Sequence, residues 1–205
     1  MLVALACVAL PALAFEHSAW DALLKAHVVV LPGAHESRVD YAGMARDRAA
    51  LEGYLDSLQK VSAAEFAGWP KDERKAFLIN AYNAFTVEKI LTRWPDLRSI
   101  WDFGRVFGNP FKDEFFSLLG KPMSLDGIEH GMLRKKGAYD DPRVHFAVNC
   151  ASIGCPMLRN EAYVASSDYI GQFTRFPSRV TDCHELPGRT RQDARNPLDG
   201  RHPTM

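Results

Sequence analysis

Residues 72 to 93 read Asp72-Glu73-Arg74-Lys75-Ala76-Phe77-Leu78-Ile79-Asn80-Ala81-Tyr82-Asn83-Ala84-Phe85-Thr86-Val87-Glu88-Lys89-Ile90-Leu91-Thr92-Arg93. Phe77, Ala81, Ala84, Phe85 and Leu91 recur at helical spacing, and Trp94-Pro95 closes the run, so the stretch predicts the longest helix of the fold. Asn80 and Asn83 stand three apart near its middle. Asparagine is a poor helix-interior residue because its amide competes for backbone groups. A pair on one face therefore points to side chains employed elsewhere; the plainer alternative is two exposed or core-bridging amides.

Working outward toward the N-terminus, Leu51, Tyr54, Leu55 and Leu58 mark a second amphipathic helix, and Val39-Asp40-Tyr41 before it reads as a short extended stretch. Trp20, Leu23, Leu24, His27, Val28 and Leu31 predict a first helix over 18–31, broken by Pro32-Gly33. Toward the C-terminus, residues 97–123 hold Trp101, Phe103, Phe107, Phe111, Phe115 and Phe116 without a clean period. They read as a loop region or short strands with aromatic residues in the core. Ser124 is an N-cap for a further helix, with Asp126 favourably placed at its dipole and Ile128, Met132 and Leu133 facing inward. Val144-His145-Phe146-Ala147-Val148 predicts a strand burying Val144, Phe146 and Val148, with His145 and Ala147 on the other face. The fold class is α+β: one domain of amphipathic helices, with a small sheet near residues 140–165.

Both ends depart from this pattern. Met1 to Ala14 is apolar and uncharged, and Ala12-Leu13-Ala14 supplies the small-x-small motif of a cleavage site before Phe15, so residues 1–14 read as an export signal. The basic start usual in such signals is missing, which fits a start codon further upstream. A lipoprotein reading through Cys7 is disfavoured by the few apolar residues before it. The family-like domain covers 15–166; residues 167–205, broken by Pro177, Pro187, Pro197 and Pro203, read as a largely unstructured tail. Lys plus Arg and Asp plus Glu number 25 each. They are intermixed, favouring neither nucleic acid nor an anionic membrane, and no later stretch is apolar enough to span a bilayer. The sequence specifies no cofactor or partner.

Chemistry concentrates in His145-x4-Cys150-x4-Cys155, with Asn149, Ser152 and Pro156 around it. One reading makes Cys150 a nucleophile held as thiolate by His145 or His130, with Asn80, Asn83 or Glu129 completing the site, as in a thiol-dependent hydrolase or acyl transferase. In that reading Asn149 and Ser152 serve binding, since loop amides near a thiol suit an anion or oxyanion. A second places zinc or copper between Cys150, Cys155 and the histidines, although the spacing is looser than a Cys-x2-Cys knuckle. The third, favoured by compartment and proximity, is a Cys150–Cys155 disulfide in a non-catalytic binding or assembly domain, leaving Cys183 over.

Four segments carry a resemblance: Val39-Asp40-Tyr41, Phe77-Leu78-Ile79-Asn80-Ala81-Tyr82-Asn83-Ala84, Ser124-Leu125-Asp126-Gly127-Ile128-Glu129-His130, and His145 through Pro156. In this order, over about residues 37–165, the chain resembles the domain of unknown function 547 family. The resemblance implies an exported or envelope-associated bacterial domain without assigned chemistry. It places emphasis on Asn80, Tyr82, Asn83, Glu129, His130, His145, Asn149, Cys150, Ser152, Cys155 and Pro156. The helix-then-histidine order is also loosely similar to the papain and transglutaminase architecture, but here the helix carries no cysteine. After about Ser166 the chain departs from the family pattern, as a frameshifted or truncated ending would.

Overall fold

The computed structural model describes residues 15–33, 36–97, 99–103, 108–152 and 155–165. The expected signal, the tail, Cys7, Phe107 and Cys183 lie outside the described residues.

Helix α1 (Ser18–His27) leads into a hairpin of β1 (Val28–Val30) and β2 (Ser37–Val39), paired antiparallel with Val28 opposite Val39. The helix expected over 18–31 therefore stops at His27. Three consecutive β-branched valines lose side-chain freedom in a helix and fit a pleated strand instead. Asp40 then caps α2 (Tyr41–Arg46), accepting from the Gly43 N–H at 3.0 Å, and α3 (Arg48–Lys60) and α4 (Ala63–Gly68) follow.

The central element is α5 (Lys71–Leu91), which matches the expected helix. From Lys75 to Val87 every residue is buried. A helix buried all round needs neighbours on all sides. α2, α3 and a C-terminal helix, α6 (Leu125–Ile128), supply them. Trp20 of α1 stacks on Tyr54 of α3, and Phe66, Trp69 and Phe77 form a tilted aromatic cluster beneath.

Beyond α5, Phe116 stacks on Phe85 with centroids 3.8 Å apart and anchors a second hairpin, β3 (Phe116–Leu118) with β4 (Lys121–Met123). Its turn places Leu119 and Gly120 at φ 54° and 77°. Two left-handed residues give the twist a two-residue hairpin needs, and glycine tolerates that region without cost. Phe103, Phe111 and Phe115 pack against the core as expected, whereas Trp101 is exposed. The Ser124 hydroxyl accepts from the Gly127 N–H, as its N-cap position predicted. Helix α6 then widens into a π-helical turn over Glu129–Leu133.

The expected strand at 144–148 is instead a 3-10 helix, Pro142–Phe146. Asp141 caps it by accepting from the Arg143 N–H, and Pro142 at the first position presets the helical φ. Burying Val144, Ala147 and Val148 together satisfies a three-to-four residue spacing as readily as alternation, and Ala147 faces inward. No strand lies among the described residues of 140–165; the sheets are the two hairpins. The fold remains a single α+β domain, with helix dominating.

Candidate functional site

One turn of α5 reaches three separate segments. Asn80, fully buried, clips Tyr163 from both sides: its Nδ2 donates to the Tyr163 carbonyl at 2.7 Å, and the Tyr163 N–H donates to its Oδ1 at 2.9 Å. Asn83 does the same to the chain around Val148, donating to the Ala147 carbonyl at 2.9 Å and accepting from the Asn149 N–H at 2.8 Å. Each amide thereby replaces the ladder partners that this irregular backbone lacks. Between them Tyr82 hydrogen-bonds Glu129, and burial first, then the Glu129 charge, pushes its hydroxyl well above the usual tyrosine range.

The segment so held contains the Cys150–Cys155 disulfide, with Cα atoms 6.0 Å apart. Asn149 closes the loop by donating to the Pro156 carbonyl at 2.6 Å and accepting from the Ala151 N–H at 3.0 Å. Ser152 contributes its carbonyl, which accepts from the Cys155 N–H at 3.1 Å. The amide of Asn149, expected to serve binding, is thus engaged in shaping the loop. Upstream, Asp141 accepts from buried Lys75 at 3.0 Å and from Arg143 Nε at 2.7 Å. Burial alone would raise the Asp141 pKa, but the bonds from Arg143 and Lys75 win and hold it down to about 2.

The expected thiol-imidazole partnership does not assemble in this bonded form. Cys150 has no thiol to ionise, and among the described residues neither His145 nor His130 makes a hydrogen bond with it. The His145 ring sits edge-on to Phe146, with its Nδ1 buried and unpartnered. His130 stands exposed on the π-turn, its Nδ1 3.4 Å from Asp126 Oδ1, while Arg134 donates to Glu129 at 3.1 Å. The disulfide removes both thiolates from the expected metal set, and among the described residues no three His, Cys, Asp or Glu side chains are disposed to hold a metal ion.

A family model described as "Protein of unknown function, DUF547" matches residues 66–168. The chain belongs to the DUF547 family. No curated protein and no solved structure matches it. The matched DUF547 stretch takes in α5, the π-turn and the disulfide loop, so the hydrogen-bonded arrangement around Asn80, Tyr82 and Asn83 lies within it.

The fold also forms a cavity that the sequence did not reveal. Arg74 and Leu78 of α5, Lys121 of β4, Met132 of the π-turn, Lys135 and Tyr139 line a volume of about 330 Å³ that lies open to solvent, with Lys121 and Lys135 themselves exposed. Among the described residues none of the three cations has a carboxylate partner, and Arg74 Nε is buried without an acceptor. Desolvation raises the Tyr139 pKa, with nearby Arg74 opposing. No motif joins these residues; spacing along the chain held no signal for them.

Proposed function

We propose that this DUF547 domain is a non-catalytic, exported binding domain that takes a small organic anion with an apolar or aromatic body. The observation that carries this reading is the convergence of Arg74, Lys121 and Lys135, without carboxylate partners among the described residues, on one cavity. A planar guanidinium suits a carboxylate or phosphate group, while Leu78, Met132 and Tyr139 offer apolar surface to the rest of the ligand. The volume falls within the small-molecule range. Support for export comes from the disulfide, which persists in oxidising compartments, and from the apolar N-terminus. Against thiol catalysis stands the bond that occupies Cys150.

Titrating the purified protein with phenyl phosphate, phenylacetate and benzyl alcohol separates charge from shape. Saturable binding of at least one anion, with a dissociation constant of about 1 mM or tighter, is expected, with benzyl alcohol inert. Arg74→Gln should weaken the anion about tenfold. Equal binding of the neutral alcohol, or no saturation by either anion, rejects the anion site. Turnover of 4-nitrophenyl acetate that Cys150→Ser abolishes would instead restore the thiol hydrolase.

A further inference from the structure

Glu73 lies in the first turn of α5, is 6% exposed, and has one polar partner among the described residues. That partner is the main-chain nitrogen of Phe15, which donates to Glu73 Oε1 at 2.9 Å across 58 positions of sequence. A largely buried carboxylate whose one partner among the described residues is an amide N–H is better satisfied by an opposite charge at the same distance. Nearby Lys75 pairs with Asp72 and Asp141, and Arg74 faces the cavity described above.

The nitrogen at this spot is the one that the sequence pattern Ala12-Leu13-Ala14 marks for release. Hydrolysis of the Ala14–Phe15 peptide bond by an export endopeptidase adds one water. Ala14 leaves with the carboxylate, and Phe15 gains a primary amine that takes up a proton. A secondary amide with one N–H becomes an ammonium with three donors and a full charge.

The Phe15 ring would hold that ammonium in place. It sits edge-on to Phe77 with centroids 5.0 Å apart, lies 5.0 Å from the His17 ring and 6.0 Å from Trp69, and packs against the core. Anchoring by these rings, with Tyr54 a fourth neighbour at 6.4 Å, holds the nitrogen by Glu73 and lowers the ordering cost of pairing.

We infer that Phe15 is the first residue of the mature chain and that its α-ammonium group forms a buried ion pair with Glu73, so that processing completes the core. How the amine arises rests on the export reading above; the pair itself does not. Release of a removable tag gives a full chain from Phe15 to Met205 directly, to be compared with the same chain preceded by Ala14, each made with and without Glu73→Gln. The substituted side chain keeps an oxygen for the Phe15 N–H and so preserves the fold. The added Ala14 should lower Tm by about 5 °C in the chain with native Glu73 and leave the Glu73→Gln background unchanged. Equal losses in both backgrounds, or none in either, overturn the ion pair. N-terminal sequencing of protein expressed from Met1 behind an added Met-Lys-Lys, which supplies the basic start the signal lacks, should then find Phe15 first. A chain cut elsewhere overturns the processing half while export stands, and an uncut chain retained in the cytosol overturns export and processing together.

Discussion

Two stretches of this domain share one core but fix their backbones by different means. From α1 through α5 the chain is organised by apolar burial: Trp20, Leu51, Leu58, Phe77 and Ile90 are essentially inaccessible and belong to one continuous core. Between Asp141 and Tyr163 there is no α-helix or strand among the described residues; Val144, Ala147, Val148, Leu158 and Tyr163 join the same core, and the backbone path is fixed in addition by polar attachments. These are the Asn80 and Asn83 clips, the Lys75–Asp141 pair, the Ala162 N–H donating to Asp21, and the disulfide. Apolar packing is non-directional and tolerates small adjustments, whereas an amide clip demands one geometry. The path of the second stretch therefore depends on Asp21, Lys75, Asn80 and Asn83 of its neighbours as well as on its own residues.

Removing one contributor on each side gives the largest contrast. Phe77→Ala leaves a cavity beneath Phe15, Phe66 and Trp69 and should cost about 4 kcal/mol, felt as loss of global stability in denaturant unfolding. A loss confined to one segment would contradict a single cooperative core.

Acid should act next in size, and on the helical side. His17 is buried, shares a 2.7 Å hydrogen bond with the Tyr54 hydroxyl, and desolvation lowers its pKa from 6.5 to about 4. Below pH 6.5 the unfolded chain binds a proton that the folded chain refuses until about pH 4, so stability falls as pH falls through that window. The depressed pKa corresponds to about 3 kcal/mol. The Asp141 contribution, by contrast, persists until pH drops below 3.8 toward about 2, because its folded pKa lies under its unfolded one. Denaturant midpoints of the native chain and His17→Gln between pH 7 and 4 read this directly: the native chain should slope and the variant should be nearly flat. Parallel slopes would assign the loss to other groups.

The smallest effect expected is the most local. Asn83→Ala strands the Ala147 carbonyl and the Asn149 N–H; water reaches half-buried Asn149, so the cost should be about 2 kcal/mol. Native-state hydrogen exchange should speed up over residues 147–163 while α1 and α3 stay protected. Uniform acceleration would mean that the clips stabilise the whole domain and that the division between the two stretches is wrong.

Legibility followed the same division. The span of α5, the Ser124 cap and the α3 periodicity were readable because each depends on residues within one or two turns. Asn80 and Asn83 announced themselves as amides out of place in a helix, but their partners lie 83 and 64 positions away and no local rule names them. Val144 to Val148 fits either period over five residues, and the choice falls to the Asp141-Pro142 start and the lack of a partner strand among the described residues. The cation-lined cavity was illegible for a related reason: α5, β4 and the chain from the π-turn to Tyr139 each contribute a few side chains, individually ordinary.

By itself the sequence determined the family, the α+β class, the long central helix and a close cysteine pair, since these rest on periodicity, composition and short spacings. Tertiary structure alone decided that Asn80 and Asn83 clip remote backbone, that Glu73 meets the Phe15 nitrogen, and that Arg74, Lys121 and Lys135 share one cavity. Burial makes Asn80, Asn83 and Glu73 find partners, and which partner arrives depends on how distant segments pack, not on what lies beside them in the chain.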